Sequence, residues 1–276
     1  MITRLYSYLN DHHILYDYQF GSRKKYSTTL ALIDVLDQIY YQLDNSKKVL
    51  GIFLDLQKAF DIVDHQILLA KLHNYGIIGI IYSWFKNYMT DRKQFVTVSG
   101  VSSQSRYVTC GVPQGSVLGP LLFPIYINDI GNSISRIPIK LFADDTNLFI
   151  FSESIDILKV DAEEKIKLLN SWFVANKLSL SLEKTCYCVF GATEVEKSKI
   201  HLKSCDVEIQ QVDCSTYLGI FIDSKLSWQN HIDYIYNKII KFTSIFYKIR
   251  DKIKFDVAKM IYFAFVHSHL AYGIEI

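Results

Sequence analysis

The sequence lacks the marks of membrane-spanning and secreted proteins. No apolar run approaches the roughly 18 residues that a transmembrane helix requires, and the N-terminus has no charged stretch followed by an apolar one. The cysteines number five and are irregularly spaced, which indicates reduced thiols rather than a disulfide framework. These absences predict an intracellular protein with no membrane partner.

Net charge is also small. A formal charge of +2 over 276 residues is low for a nucleic-acid-binding protein, so composition alone does not favour that function. The glycine-rich stretch 111–120 has no Gly-Lys-Ser/Thr ending, which excludes a Walker-type nucleotide loop. Half of the residues are hydrophobic and 21% are charged, which predicts a folded chain with one substantial core.

An acidic pair, Asp144 and Asp145, stands between two apolar, β-prone runs at 137–142 and 148–151. This pattern predicts a β-hairpin with the pair at its tight turn. Two carboxylates at a hairpin tip make an oxygen-rich site that suits Mg²⁺. Aspartate is also a common turn former, so the pair alone leaves an ordinary turn open.

A third carboxylate, Asp55, follows a short and continuous apolar run at 49–54. Such a run predicts a strand that is buried on both faces, with Asp55 at its C-terminal end. Three carboxylates on neighbouring strands are the ligand set that two-metal phosphoryl transfer requires. The alternative is that Asp55 only caps the helix that follows the strand.

Three stretches of the sequence resemble motifs A, B and C of reverse transcriptases. They are FLDLQKAFD at 53–61, GVPQGSVLGP at 111–120 and FADD at 142–145, and they occur in the family's order. The wording is most similar to that of jockey-like non-LTR retrotransposons, and the resemblance runs from about Tyr6 to the last residue. Upstream and downstream segments usual in the family are expected to be missing, so the chain resembles a piece truncated at both ends.

The resemblance implies an α+β, right-hand polymerase fold. Residues 1–230 would form fingers and an antiparallel palm sheet with packed helices, and a helical thumb would begin at residue 231. The implied activity is RNA-directed DNA synthesis, in which a primer 3′-hydroxyl attacks the α-phosphate of a dNTP. Asp55, Asp144 and Asp145 would hold two Mg²⁺ ions, with Mn²⁺ as an alternative. The partners would be an RNA template, a DNA primer and dNTPs, with no obligate protein partner, in the nucleus.

The resemblance also implies roles for residues around the carboxylates. Phe60 would exclude the 2′-hydroxyl of an incoming nucleotide, while Gln114 and Gly115 would lie against the nascent base pair. Arg23, in a segment similar to a fingers motif, would contact template backbone or triphosphate, and Lys184 would protonate the leaving pyrophosphate. Each role has a plainer alternative: a core phenylalanine for Phe60, a solvated basic turn for Arg23 and a surface lysine for Lys184. Ser22 and Pro124 depart from the bulky apolar residues usual at their positions.

Several helices and turns are predicted from periodicity and caps. Ser27 is expected to cap a helix whose apolar face is formed by 30, 33, 36, 39, 40 and 43, and a helix at 78–89 is expected to bury both Trp84 and Phe85. Hairpin strands are expected at 95–98 and 106–109, and a long amphipathic helix at 155–175. Residues 217–222 resemble the family's primer grip, with Trp228 starting the next helix.

Two other functions stay open at this point. One is a catalytically silent nucleic-acid-binding remnant of such an element. The other is an RNA-dependent RNA polymerase, which shares the palm chemistry. Against the latter, Ala143 replaces the glycine of the usual Gly-Asp-Asp, and Phe60 occupies the sugar-gate position.

Overall fold

The computed structural model describes residues 2–113, 115–134 and 137–276, so Gln114 lies outside the described residues. A 3₁₀ turn (Asn128–Asn132) extends the fifth helix, and a π-helical turn (Phe263–His267) joins the last two. Within the described residues the helices are, in chain order, α1 (Ile2–Asp11), α2 (Thr28–Asp44), α3 (His65–Asn74), α4 (Gly79–Met89), α5 (Gly119–Ile127), α6 (Ile155–Ala175), α7 (Glu194–Lys197), α8 (Gln229–Ile249), α9 (Phe255–Tyr262) and α10 (Ser268–Ala271).

The strands of the described residues are short apart from two in the centre of the sheet. They are β1 (Lys48–Leu54), β2 (Lys93–Gln94), β3 (Thr97–Val98), β4 (Val101–Ser102), β5 (Arg106–Tyr107), β6 (Ile139–Phe142), β7 (Asp145–Ser152), β8 (Cys186–Phe190), β9 (Lys203–Ser204), β10 (Val207–Glu208), β11 (Gln210–Gln211), β12 (Cys214–Tyr217) and β13 (Ile220–Asp223).

A five-stranded sheet in the order β11-β8-β1-β7-β6 forms the centre of the fold. β1 pairs antiparallel with both β7 and β8, and β6 pairs antiparallel with β7, while β11 adds a parallel edge. The central position of β1 explains its composition, because residues 49–54 are buried on both faces, as their continuous apolar run predicts. The predicted antiparallel sheet is confirmed.

Each face of the sheet is covered by its own core. Successive side chains of a strand point to opposite faces, so Leu50 and Ile52 enter a large core that also contains buried residues of α3, α5 and α6. Val49 and Phe53 enter a smaller core with α2 and the β12–β13 hairpin. The sheet is therefore the middle layer, and its strand ends and turns are the parts left accessible.

Helix α2 forms where it was predicted, but only part of its predicted apolar face is buried, including Leu36 and Ile39. The Ser27 hydroxyl accepts a hydrogen bond from the Leu30 N–H, which confirms the cap. The prediction that Leu30 and Tyr40 belong to the buried face is wrong, since both are exposed, and the buried stripe instead contains Leu32 and Val35. Apolar residues cover more than one face of this helix, so periodicity alone could not select the buried one.

The predicted burial of Trp84 is also wrong. Phe85 is fully buried, whereas Trp84 is 38% exposed. Adjacent residues of a helix project about 100° apart, so one core cannot easily cover both rings. Pro124 lies inside α5, beyond its first turn, and its side chain is buried.

The predicted hairpin between strands at 95–98 and 106–109 is wrong in its pairing, because β3 pairs with β4 and β5 pairs with β2. The five cysteines, all within the described residues, are free thiols. No helix of the described residues is long and apolar enough to cross a membrane.

Candidate active site

The acidic pair lies at a two-residue hairpin turn, as its sequence predicts. Phe142 pairs with Asp145 across the β6–β7 hairpin, so the turn consists of Ala143 and Asp144, and Asp145 is the first residue of β7. Ala143 has φ = 53°, in the left-handed region that a residue with a Cβ adopts at a cost. A strained turn therefore presents the two carboxylates, and strain of this kind requires support from the surrounding chain.

A segment near the N-terminus supplies that support. The side-chain oxygen of Gln19 accepts hydrogen bonds from the N–H groups of Ala143 (3.1 Å) and Gly21 (2.8 Å), and the Phe20 N–H donates to the Leu141 carbonyl (2.8 Å). A Cβ at Gly21 would lie 2.2 Å from the Ala143 nitrogen, so no other residue fits this contact. The segment 19–21 thus contacts the backbone of the turn directly and stabilises it.

Asp55 lies at the C-terminal end of β1, with its side chain 40% exposed. Its N–H donates to the Thr185 hydroxyl (3.3 Å), and its carbonyl accepts from the Ser181 N–H (2.8 Å). The alternative that Asp55 caps the next helix is wrong. That cap is Asp64, whose carboxylate accepts hydrogen bonds from the first turn of α3. The side chain of Asp55 is therefore available for another role.

The three carboxylates share one electrostatic environment. Partial desolvation by the surrounding chain, together with the negative charges of Asp144 and Asp55, raises the pKa of Asp145 to about 6. The residue nevertheless remains accessible to solvent. Within the described residues no three histidine, cysteine, aspartate or glutamate side chains converge into a ready-made metal cluster. The raised pKa and the absence of a preformed cluster are compatible, because charges act over longer distances than metal–ligand bonds do. The site repels further anions unless a cation neutralises it.

Lys184 lies beside this group. Its Nζ is 3.7 Å from Oδ2 of Asp55, and both side chains are exposed. The segment 179–180, which precedes Lys184, is hydrogen-bonded to the residues that follow β1. The Gln57 N–H donates to the Ser179 carbonyl (2.8 Å), and Leu56 forms an isolated β-bridge with Leu180. An exposed pair at this distance contributes little to stability, so the contact is chiefly a matter of position.

Phe60 is half-buried and lies next to the first residues of the motif-B stretch at 111–120. Its ring packs against Phe123 with centroids 4.6 Å apart, and its carbonyl accepts a hydrogen bond from the Val112 N–H (2.8 Å). Gly115 has φ = 74°, and among the described residues nothing lies within 4 Å of the place that a Cβ would take. Gln114, predicted to contact the sugar or base, lies outside the described residues.

Arg23 is engaged with its own loop. One guanidinium nitrogen donates to the carbonyls of Tyr16 (3.0 Å) and Gln19 (3.4 Å), and the group lies over the ring of Tyr26, 4.3 Å from its centroid. These contacts give Arg23 a place in the loop that leads into the 19–21 segment. Its contact with phosphate stays a prediction.

The structure also reveals an ion pair of a buried lysine behind the hairpin that the sequence analysis missed. Lys140 of β6 is almost fully buried, and its Nζ lies 2.5 Å from Oδ2 of Asp34 on α2. Nearby, the Tyr217 hydroxyl is buried without a hydrogen-bond partner among the described residues, and burial followed by the charges of Asp145 and Asp34 raises its pKa. The only available signal was a lysine within an otherwise apolar strand, two residues before Phe142.

Comparisons with known proteins agree with this geometry. Residues 1–222 match the family model described as reverse transcriptase (RNA-dependent DNA polymerase). The chain is 28% identical over 237 residues to the probable RNA-directed DNA polymerase from transposon BS of Drosophila melanogaster, covering 83% of this chain and 26% of that protein. It is 27% identical over 269 residues to the RNA-directed DNA polymerase from mobile element jockey of the same species, covering 94% of this chain and 29% of that protein.

The fold is similar to that of a solved telomerase. The structure of apo telomerase from Candida tropicalis, truncated from the C-terminal domain, superposes with a TM-score of 0.54 at 14% identity over 81% of this chain and 43% of that one. This likeness confirms the right-hand polymerase fold. The chain spans between a quarter and a third of the length of the two transposon relatives. From its motifs, its palm sheet and the match over residues 1–222, the chain belongs to the reverse transcriptase family.

Proposed function

We propose that this chain catalyses RNA-directed DNA synthesis, joining a dNTP to a primer 3′-hydroxyl with release of pyrophosphate. The observation that carries the proposal is the electrostatic influence of Asp55 and Asp144 on Asp145. Asp55 lies about 90 residues before the acidic pair in the chain, yet its charge and that of Asp144 add to the desolvation that raises the pKa of Asp145 to about 6. A palm that places acidic groups together at its accessible edge is suited to binding cations and phosphates together.

Reverse transcriptases generally use divalent metal ions, and the donor set here fits such ions. Carboxylate oxygens are hard ligands that favour Mg²⁺, with Mn²⁺ as the second candidate. Asp55, Asp144 and Asp145 would hold the two ions. When bound, they would lower the pKa of the attacking hydroxyl and neutralise the triphosphate. The position of the Lys184 ammonium beside Asp55 supports the view that this edge attracts positive charge.

The other residues would bind and orient the substrates. The ring of Phe60, fixed against Phe123, would exclude a 2′-hydroxyl and so select dNTPs. Lys184 would hold the proton that the leaving pyrophosphate takes up. The open space at Gly115, with Gln114 beside it in sequence, would admit the nascent base pair. Arg23 would contact phosphate after some rearrangement of its loop contacts.

The remaining partners follow from the same proposal. The template would be RNA and the primer DNA, and the protein would act in the nucleus. Residues 1–230 would form fingers and palm, and a thumb would begin at residue 231. Residues 230–260 contain seven lysines and arginines but only three aspartates. This excess of positive charge suits binding to the phosphate backbone of a duplex.

Primer extension tests the proposal. The purified chain is given a DNA primer on an RNA template with Mg²⁺ and either dNTPs or NTPs. We expect products with dNTPs, few with NTPs and far fewer from the Asp144→Asn variant than from the parent. Products formed mainly from NTPs would instead indicate an RNA polymerase. Binding of the template–primer without extension under any metal condition would overturn the assignment in favour of a silent nucleic-acid-binding protein.

A further inference from the structure

An exposed surface outside the carboxylate site combines stacked aromatic rings with fixed cations. It consists of the outer face of α4 and the ribbon formed by β2 to β5, in which every strand residue is exposed. We call it the α4–ribbon surface. Its aromatic and basic members are Trp84, Tyr88, Arg92, Lys93, Arg106 and Tyr107.

The aromatic part is a ladder with four-residue spacing. The rings of Trp84 and Tyr88 are stacked, with centroids 5.3 Å apart and planes inclined by 12°. The guanidinium of Arg92 continues the ladder, 5.5 Å from the centroid of Tyr88. Residues four apart on a helix lie on one face, one above the other. Trp84, which is 38% exposed, is the ring of the ladder on which a nucleic-acid base can stack. Tyr88 is half-buried against the core and supports Trp84 from one side.

The ribbon adds positive charge next to this ladder. Lys93 of β2 pairs with Tyr107 of β5 across the ribbon. The Nζ of Lys93 is 4.6 Å from the centroid of the Tyr107 ring, and Tyr107 is 62% exposed. Arg106 lies on the same strand pair, opposite Gln94. Between residues 91 and 107 three basic side chains accompany one acidic side chain, Asp91. This charge favours a polyanion over an apolar protein surface.

A polar cavity of about 720 Å³ connects the ribbon with the active-site region. Arg92, Lys93, Gln94 and Tyr107 line one part of it, and Asp61 and residues 108–113 line the rest. The Val112 N–H in this lining donates to the Phe60 carbonyl. A strand that follows the cavity from the ribbon therefore arrives at the residues that precede the motif-B loop.

We propose that the α4–ribbon surface binds single-stranded nucleic acid, with bases stacked on Trp84 and Tyr107 and phosphates on Arg92, Lys93 and Arg106. The inference deepens the proposed function, because its ligand is the unpaired strand that a templated polymerase copies. Stacking on aromatic faces tolerates any base sequence, so the surface has little sequence preference. Binding at this surface does not require catalysis, so the two proposals can fail separately.

Binding of a fluorescein-labelled 20-nucleotide oligo(U) or oligo(dT) to the full chain tests the inference. The ribbon variant Lys93→Ala/Tyr107→Ala alters only exposed side chains. Tyr41→Ala/Lys47→Ala is the matched control, because it removes an aromatic residue that is 65% exposed and a cation that lies over a ring elsewhere. Anisotropy titrations at several salt concentrations give the affinity and its salt dependence, and ultracentrifugation gives the oligomeric state.

We expect the ribbon variant to lose at least about tenfold in affinity for the single strand. Its log–log salt dependence should be shallower by about 0.7 for each cation removed. Extension of a primer on a template with no more than one unpaired nucleotide should change little. An affinity unchanged from the parent, or lost equally in the control, would overturn the inference. So would a ribbon variant that binds normally but no longer self-associates, since the surface would then join two copies of the chain.

Discussion

The central sheet and the C-terminal helices use apolar residues in opposite ways. In β1 the six residues after Lys48 are all buried, and the strand is covered on both faces. In α8 and α9 no residue is buried, and large apolar side chains such as Ile232 and Phe255 are exposed. Tyr272 connects the two regions, because its hydroxyl donates to the Leu218 carbonyl beside the β12–β13 hairpin. An amphipathic pattern thus predicts a helix, but burial also requires a second layer to cover it.

The largest expected contrast between the regions is chemical. Asp144→Asn should reduce primer extension on the order of 10²–10³-fold, since it removes charge from the site while keeping the shape of the side chain. Asp251→Asn, an exposed change in the helical region, should leave extension within about twofold. Steady-state rates with circular dichroism as a check of folding compare the two. A folded Asp144→Asn enzyme with normal turnover would refute the assignment of the carboxylates.

The second contrast concerns stability. Phe149 is 1% exposed and packs edge-on against Phe53, whereas Phe255 is 79% exposed. Phe149→Ala should lower the free energy of unfolding by about 3–5 kcal/mol through lost contacts and a cavity. Phe255→Ala should change it by less than about 0.5 kcal/mol. Urea denaturation measures both. Similar losses in the two variants would mean that the C-terminal helices are covered in solution.

Phe60 distinguishes chemistry from packing within the palm itself. Phe60→Val should increase the use of NTPs relative to dNTPs by about 10- to 100-fold, because a smaller side chain leaves space for a 2′-hydroxyl. Tyr82→Val, another half-buried aromatic packed against the same core, is the control. Kinetics with each nucleotide and the melting temperature are measured together. Lost stability with unchanged discrimination would assign Phe60 to the core alone.

The smallest effect is expected at the joint between the two regions. Partial burial alone would raise the pKa of Asp223, but hydrogen bonds from the N–H groups of Ser227, Lys225 and Trp228 outweigh it and lower that pKa. A lowered folded-state pKa stabilises the protein above the ordinary value of 3.8, and this stabilisation is lost as the pH falls through the folded value. Asp223→Asn should therefore cost about 1–3 kcal/mol at pH 7 and progressively less below about pH 4.

The exposed loop residue Asp206 provides the control for this experiment. Asp206→Asn should show no such pH dependence in urea denaturation at pH 7, 5 and 3. A stability difference between the Asp223→Asn variant and the parent that stays constant over this range would contradict the role of the ionised carboxylate.

Local patterns in the sequence predicted the parts of the site that local chemistry determines. The apolar run before Asp55 and the acidic pair between β-prone runs were enough to place β1 and the β6–β7 turn. The contacts that hold these parts together were not predictable, because they join residues far apart in the chain. Gly21 against Ala143 and Asp34 with Lys140 are of this kind. The face of α2 was predicted only in part, because its apolar residues exceed one stripe and the packing against the sheet determines which of them are buried.

The central position of β1 has a consequence for synthesis of the chain on the ribosome. Its neighbours β7 and β8 are translated about 90 and 130 residues after it. β1 therefore has no partner strand when it first emerges. At about 5–20 residues per second, its apolar side chains and unpaired backbone stay exposed for about 5–20 s before β7 is made. During that interval the nascent strand is a template for wrong pairing with other chains. Chaperone binding to the segment 48–54 would protect it, and the need should end once β7 has been translated.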